Sequence, residues 1–138
     1  KPSERQKDSA HRFIDAGADI VVGAHPHVVQ PFESYNGKAI FYSLGNFMFD
    51  QDFSYNTTHG LAVLLEISNS KLEHGRTSND SKEEKLLRFE LIPVSIIRSE
   101  VGIANIEDAK NILKIVTSDE NKNSITLPGS KNNKNNAD

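Results

Sequence analysis

The strongest constraint on the fold is a helical pattern that stops at a glycine and leads directly into a short apolar run. Ser3 and Gln6 have the spacing of a capping box, which satisfies free amides where a helix begins. Gly17 supplies a natural stop, because glycine enters the left-handed conformation without a steric clash. The run that follows, residues 19–23, is typical of a strand buried on both faces. Helix, glycine and buried strand in succession predict an α/β fold.

Further strands are predicted along the middle of the chain. They are expected at residues 39–44, 61–67 and 86–97. The turn signal Asn36-Gly37 precedes the first of them, and Pro93 indicates an edge or a bulge in the last. A polar stretch, residues 68–85, separates the last two strands and is expected to be a solvated excursion.

A second helix and a change of composition mark the end of the predicted domain. The helix covers residues 106–116, with Asn105 as its N-cap. Its buried face is expected to contain Ile106, Ala109, Ile112, Leu113 and Val116. Aromatic core residues are expected elsewhere, namely Phe13, Phe41, Phe47 and Phe89. The last segment is rich in asparagine and too poor in apolar residues to offset its ordering entropy. We therefore expect one domain over residues 1–118 and a disordered tail over residues 119–138.

Composition excludes several kinds of site and partner. The 138 residues contain no cysteine, which excludes disulfides, thiolate metal ligands and a cysteine nucleophile. The net charge of −3 gives the chain no general attraction to nucleic acid or to an anionic membrane surface. No apolar run approaches the roughly 18 residues that suggest a membrane span. Nucleic acid is therefore not an expected partner.

The residues most suggestive of chemistry are His25 and His27, which directly follow the predicted strand at residues 19–23. Loops at the carboxyl ends of strands commonly carry active-site groups in α/β folds. Pro26 is expected to push His25 into extended geometry, where residues two apart point to the same side about 6.5 Å apart at Cα. Two converging imidazoles suit one metal ion or a pair of ions. Short patterns of this kind also occur in ordinary polar loops, so the residues alone leave both interpretations open.

Two further residues are candidates for substrate contacts. Asn46 follows a predicted strand and is interpreted as lining the cleft beside the metals, where it hydrogen-bonds substrate. Gly45 and Asn46 are also typical of a turn with positive φ, so a purely structural role stays open. His59 lies just before the strand at residues 61–67 and is interpreted as a substrate residue near the same cleft, although no partner for it is evident in the sequence.

Two segments resemble a known family. The first is GADIVVGAHPHVVQP at residues 17–31, and the second is YSLGNF at residues 42–47. Together they resemble the bacterial capsule synthesis proteins, the CapA/PgsA family associated with poly-γ-glutamate. That family belongs to the calcineurin-like metallophosphoesterase superfamily, whose last metal motif is a Gly-His-x-His loop. Here Ala24 stands between the glycine and the first histidine, which fits the capsule branch.

The resemblance implies both a fold and a site. The fold is expected to be the C-terminal part of an αββα sandwich, in which helices cover two packed β-sheets. His25 and His27 are expected to be ligands in a site for two divalent metal ions, Zn, Mn or Fe. The superfamily site also needs an Asp-x-His, a bridging aspartate and an Asn-His pair, and the sequence contains none of these motifs. The chain is therefore expected to be the C-terminal portion of a catalytic domain, inactive by itself.

The function implied by the resemblance is poly-γ-glutamate capsule synthesis with a metal-dependent hydrolase site in the full-length parent. The expected partners are poly-γ-glutamate or a related capsule polymer and other capsule synthesis proteins at the membrane. The expected location is the cell envelope, extracytoplasmic and membrane-associated. Two alternatives remain: a non-catalytic envelope scaffold for polymer synthesis or export, and a phosphoesterase for small soluble substrates.

Overall fold

The computed structural model describes residues 1–70 and 84–118, and these parts of the chain form helices and two β-sheets. The helices are α1 (Glu4–Asp15) and α2 (Ile106–Val116). The strands are β1 (Ile20–Val22), β2 (Phe32–Tyr35), β3 (Lys38–Phe41), β4 (His59–Ser70), β5 (Glu84–Ile97) and β6 (Glu100–Ile103). The mixture of helices and sheets confirms the predicted α/β class.

Helix α1 begins and ends as its sequence predicts. The Ser3 hydroxyl accepts from the Gln6 amide at 3.3 Å, and the Gln6 side chain accepts from the Ser3 amide at 2.8 Å, which completes the capping box. The helix packs through Ala10 and Ile14. The prediction that Phe13 is a core residue is wrong, because its side chain is 62% exposed and lies in a groove lined by β1.

The first sheet has the strand order β1-β3-β2, with β1 parallel and β2 antiparallel to β3. Asn36 and Gly37 both have positive φ and form the two-residue turn between β2 and β3, as their sequence predicts. The predicted strand at residues 19–23 is present, but burial on both faces is wrong, since Val22 is 56% exposed. The reason is that, among the described residues, β1 is the outer strand of this sheet and has β3 as its only neighbour. Strand β2 was not predicted.

The second sheet has the order β4-β5-β6 and is antiparallel throughout. β5 is the central strand of this sheet, but among the described residues β6 pairs with only part of it. The edge predicted from Pro93 therefore exists only in the part of β5 that β6 does not reach. β6 pairs with β5 from Val94 onward, and the Pro93 carbonyl accepts from Ala104 just beyond the end of β6. The N–H group that Pro93 lacks therefore removes no hydrogen bond from the pairing of β5 with β6. The strands extend into both ends of the predicted excursion, whereas residues 71–83 and the predicted tail, residues 119–138, lie outside the described residues.

The two sheets and α2 share one apolar cluster. Ring centroids of Phe32 and Phe41 lie 5.1 Å apart, and Phe89 of β5 meets Phe41 edge-on at 5.7 Å. Because side chains alternate along a strand, Ile40 of β3 faces α1 while Phe41 faces the second sheet. The first sheet is therefore covered on one face by α1 and on the other by the shared cluster.

Helix α2 is capped by Asn105, whose side chain accepts from the amides of Glu107 and Asp108 at 3.0 Å. Ile112 and Val116 are buried in the shared cluster. The prediction that Ile106 belongs to the buried face is wrong. Its side chain is 77% exposed because Ile106 lies at the edge of the helix face that Ile112 and Val116 bury. Among the described residues, neither helix has the length and apolar character that a membrane crossing requires.

Candidate metal site

The loop that carries His25 and His27 leaves the end of β1 with a tightly bent backbone. His25 has a φ of 99° and His27 a φ of 58°, so the predicted extended geometry is wrong. Proline disfavours the right-handed helical region for the residue before it, but His25 avoids that region by adopting positive φ. A non-glycine residue at such a φ costs of the order of 1–3 kcal/mol. The two rings nevertheless lie near each other, with centroids 6.5 Å apart.

Backbone contacts at both ends anchor this loop to one neighbouring segment. The Gly23 amide donates to the Phe41 carbonyl at 2.7 Å, and the Gln30 amide donates to the Ser43 carbonyl at 3.0 Å. A Cβ atom at position 23 would lie 2.4 Å from the Tyr42 carbonyl oxygen, so only glycine allows this approach. The segment that holds the loop continues directly into Asn46.

Asn46 is the residue that orients His27. Its Oδ1 accepts from His27 Nδ1 at 2.7 Å, and its Nδ2 donates to the Thr57 carbonyl oxygen at 3.0 Å. A backbone carbonyl only accepts, so the amide group must present Nδ2 to Thr57 and Oδ1 to His27. The neutral His27 ring therefore carries its proton on Nδ1 and leaves the Nε2 lone pair available. Asn46 is 6% exposed, which places it behind the histidine.

Two glycines bring Asn46 to this position. Gly45 has a φ of 77° and forms an isolated bridge with Gly60 at the start of β4. A Cβ atom at Gly60 would lie 2.1 Å from the Asn46 carbonyl oxygen, far inside van der Waals contact. The backbone around Asn46 therefore lies directly on β4.

The surroundings of the histidine pair are open and aromatic. His25 is exposed and His27 half-buried, with the Phe49 ring 5.1 Å from the His27 ring. Phe47, predicted as a core residue, is exposed together with Met48 and Phe53. That prediction is wrong because the chain after Asn46 leaves the sheet and runs across the surface.

His59 belongs to a different cluster of contacts. Its Nδ1 donates to the Tyr55 carbonyl at 2.6 Å, its Nε2 lies 3.3 Å from Asp108 Oδ2, and its ring stacks on Tyr55 at 4.0 Å. The Tyr55 hydroxyl donates to Asp108 Oδ1 at 2.6 Å. Both ring nitrogens of His59 are thus occupied by protein groups. The structure joins His25, His27 and Asn46, and it places His59 with Tyr55 and Asp108.

The Tyr55–Asp108 contact alters the acidity of both groups. The hydrogen bond from Tyr55 holds the pKa of the Asp108 carboxyl below its ordinary value, and the contact with His59 acts in the same direction. Burial raises the pKa of the Tyr55 phenol, and the hydrogen bond to Asp108 raises it further. The sequence did not identify Tyr55 or Asp108 as candidate site residues. Tyr55 and His59 are four residues apart, a local signal, whereas nothing in the sequence links either of them to Asp108.

The donor set at the loop suits a metal ion only in part. Neutral imidazole is a common ligand for Zn and Fe, and His27 has a free lone pair beside an exposed second imidazole. Within residues 1–70 and 84–118, no three His, Cys, Asp or Glu side chains converge on one point. Structural zinc takes four protein ligands and catalytic zinc three. The pair therefore fits as part of a ligand set that other groups must complete.

Comparison with known proteins matches the segment that contains this pair. Residues 1–51 match the family model described as the bacterial capsule synthesis protein PGA_cap. This segment is similar to that capsule synthesis family over 51 of the 138 residues. The resemblance seen in the sequence is thereby confirmed, and His25, His27 and Asn46 all lie inside the family segment. His59 and Asp108 lie beyond it.

Relatives named for capsule or polyglutamine synthesis match stretches of similar length. The chain is 60% identical over 53 residues to "PGA biosynthesis protein CapA" of Bacillus subtilis (strain 168), which is 38% of this chain and 14% of the relative. It is 59% identical over 54 residues to "Capsule biosynthesis protein CapA" of Bacillus anthracis, 39% of this chain and 13% of the relative. It is 46% identical over 43 residues to a "Probable polyglutamine synthesis accessory protein" of Mycobacterium tuberculosis (strain CDC 1551 / Oshkosh), 31% of this chain and 11% of the relative. The matched region thus spans about one seventh of these relatives or less.

Proposed function

We propose that the chain supplies two histidine ligands, His25 and His27, to a divalent metal centre in a capsule polymer synthesis protein. The centre is the hydrolase site of that protein and holds two ions, Zn, Mn or Fe, whose remaining ligands come from outside the described residues. When bound, such ions supply Lewis-acid polarisation of a substrate oxygen. His25 and His27 hold the metals, and neither acts as the base.

The observation that carries this proposal is the hydrogen bond between His27 Nδ1 and Asn46 Oδ1 at 2.7 Å. Metal-binding histidines characteristically donate their other ring N–H to a protein oxygen, which fixes the tautomer and the ring direction. The Asn46 amide is itself fixed by Thr57, so the Nε2 lone pair of His27 is available for a ligand bond without a bound metal ion. An ordinary surface histidine has no need of this arrangement.

The spacing of the rings supports one histidine per metal ion. Two imidazoles on one tetrahedral ion have centroids about 5 Å apart, given metal–nitrogen bonds of about 2.1 Å. The His25 and His27 centroids are 6.5 Å apart. A separation of this size suits ligands of two neighbouring ions, which lie about 3.5–4 Å apart in two-metal sites.

The polymer and the location rest on the relatives' names and on the family. Two relatives are named for PGA or capsule biosynthesis and one for polyglutamine synthesis. We therefore propose poly-γ-glutamate or a related capsule polymer as the substrate, with other capsule synthesis proteins at the membrane as partners. The proposed location is extracytoplasmic, at the cell envelope.

A second candidate is a non-catalytic scaffold for polymer synthesis or export. The observation that favours it is the donor set, because the described residues bring together two histidines and no third ligand group. One relative is also named an accessory protein. In this case the histidine pair holds a structural metal or none.

Metal content tests the first candidate. The protein purified from its native host is compared with His27→Ala and with His11→Gln, whose parent imidazole already contacts Glu33 at 2.8 Å. We expect His27→Ala to lose at least one metal ion per chain and any hydrolysis of γ-glutamyl or phosphoester substrates. His11→Gln should lose neither. Equal metal content in wild type and His27→Ala, measured by elemental analysis, contradicts the assignment. Metal that depends on His27 without any hydrolysis favours the scaffold.

A further inference from the structure

Helix α2 is connected to the histidine pair by a continuous series of polar contacts. In its first turn, Asp108 accepts from the Tyr55 hydroxyl at 2.6 Å through one oxygen and lies 3.3 Å from His59 Nε2 through the other. The carboxylate thus accepts a hydrogen bond from one end of the segment 55–59 and lies beside the other end. The Tyr55 and His59 rings stack on each other, so the three side chains form one cluster.

The segment held by Asp108 is a compact turn with its own internal bonds. The Thr57 and Thr58 amides both donate to the Ser54 carbonyl at 3.2 Å, and the Thr57 hydroxyl donates to the same oxygen at 3.0 Å. Thr57 is buried. These bonds close within the turn and make it a compact unit. We call residues 54–58 the threonine turn.

In addition to its contact with Asn46, the threonine turn is attached to β5 and to helix α2. On one side the Ile96 amide of β5 donates to the Thr58 carbonyl at 2.8 Å. On the other side Asp108 accepts from the Tyr55 hydroxyl and lies beside His59. The two attachments, at Thr58 and at Tyr55, therefore lie on either side of Thr57 in the chain.

The position of the Thr57 carbonyl decides which way the Asn46 amide lies. The two ends of an amide group are nearly equal in size, and only their hydrogen bonds distinguish them. With the Thr57 oxygen 3.0 Å from Nδ2, the amide presents Oδ1 to His27. Without that oxygen, among the described residues only the 3.5 Å contact between Nδ2 and Gln51 Oε1 opposes rotation of the amide, which can then present Nδ2 to His27 instead. His27 Nδ1 would then have to accept, and the ring proton would move to Nε2.

We propose that Asp108 is a positioning residue for His27, because it fixes the threonine turn and thereby the tautomer that leaves Nε2 free. The functional meaning of this role rests on the proposed function, in which His27 is a metal ligand. The contacts themselves do not depend on a metal. Asp108 and His59 lie outside the segment 1–51 that matches the family, so this role extends the site to a second region of the chain.

The tautomer of His27, read from nitrogen-15 NMR of the 138-residue chain without metal, tests the proposal. Spectra are recorded where the imidazole is neutral. A single hydrogen bond biases an equilibrium by up to roughly tenfold. We expect Asp108→Ala to lower the ratio of Nδ1–H to Nε2–H tautomer by roughly three- to tenfold relative to wild type. Glu107→Ala is the matched control, because it removes the neighbouring charge from the same helical turn and should leave the ratio unchanged.

A conservative variant covers the case in which Asp108→Ala detaches α2. Tyr55→Phe keeps the ring that stacks on His59 and removes the hydroxyl, which binds Asp108 and also contacts Asn111 of the same helix. It should shift the ratio in the same direction by a smaller factor. The proposal is overturned if the His27 tautomer ratio is unchanged in a folded Asp108→Ala or Tyr55→Phe chain, even where the melting temperature is lower. Asp108 would then have only a structural role.

Zinc addition to the same samples separates this proposal from the proposed function. A tautomer shift in the variants with no effect of Zn²⁺ on the wild-type His27 signals supports the role of Asp108 and contradicts the metal site. Zinc-dependent changes at His27 with no tautomer shift in either variant support the metal site and contradict the role of Asp108.

Discussion

At the scale of single residues, the histidine pair depends on places where two backbone segments nearly touch. Gly60 is such a place, because the Asn46 carbonyl lies where a larger residue would carry its Cβ atom. Asn46 in turn is the residue against which His27 is oriented. A change at Gly60 should therefore reach the site through the backbone of Asn46.

Gly60→Ala tests this close approach. The new methyl group would lie 2.1 Å from the Asn46 carbonyl oxygen, so either β4 or the Asn46 segment must shift. We expect the free energy of unfolding to fall by about 1–3 kcal/mol, as for other overpacked sites. Gly102→Ala is the matched control, because a Cβ atom there meets nothing within 4 Å. Urea denaturation should show a change within about 0.5 kcal/mol for the control. Equal losses in the two variants would contradict the role of Gly60.

At the scale of elements, the sequence predicted what depends on neighbours in the chain. The capping box of α1, the Asn36-Gly37 turn and the Asn105 cap of α2 each involve residues a few positions apart, and all are present. Burial depends on which elements meet. Phe13 and Ile106 were expected to be buried, yet both side chains are exposed.

The candidate site shows the same contrast between features that neighbouring residues predict and features that only packing determines. The spacing of His25 and His27 identified the pair, but positive φ at both residues replaced the expected extended geometry. The sequence could not reveal that Asn46 reaches Thr57 or that Tyr55 reaches Asp108, because these contacts arise only when β4 and α2 pack. No periodic pattern marks such pairs.

The attachment of α2 to the threonine turn should depend on pH. The pKa of Asp108 is lowered by the Tyr55 hydrogen bond, so its contribution to stability is present above the unfolded pKa and is lost as pH falls through the folded pKa. We expect the stability advantage of wild type over Asp108→Asn to be constant near neutral pH and to shrink below about pH 4. Urea unfolding at a series of pH values measures it, with Glu107→Gln as the control. An advantage that persists undiminished to about pH 2 would rule out the carboxylate as its source.

At the scale of the whole molecule, the described residues offer two neutral donors to ions that carry two positive charges each. Carboxylates normally compensate that charge and bridge the ions in two-metal sites. The described residues place no carboxylate with the histidine pair in a three-group cluster. The histidine pair alone should therefore bind divalent metal ions only weakly.

Calorimetric titration of the 138-residue chain with Zn²⁺ or Mn²⁺ measures this directly. We expect weak binding that His27→Ala weakens further, and no turnover of phosphoester or γ-glutamyl substrates, because the ligand set is incomplete. His11→Gln serves as the control. Tight uptake of two ions per chain, or turnover that disappears in His27→Ala, would show that the chain contains a complete site.

The positive φ of His25 has a consequence for any attempt to make the protein more robust. The backbone at this position favours glycine, and the imidazole is exposed, so it gains little from packing. Replacement of His25 by glycine should relieve the backbone and raise the melting temperature while deleting one of the two donors. A laboratory selection that rewards only heat resistance would thus enrich variants that have lost the proposed site.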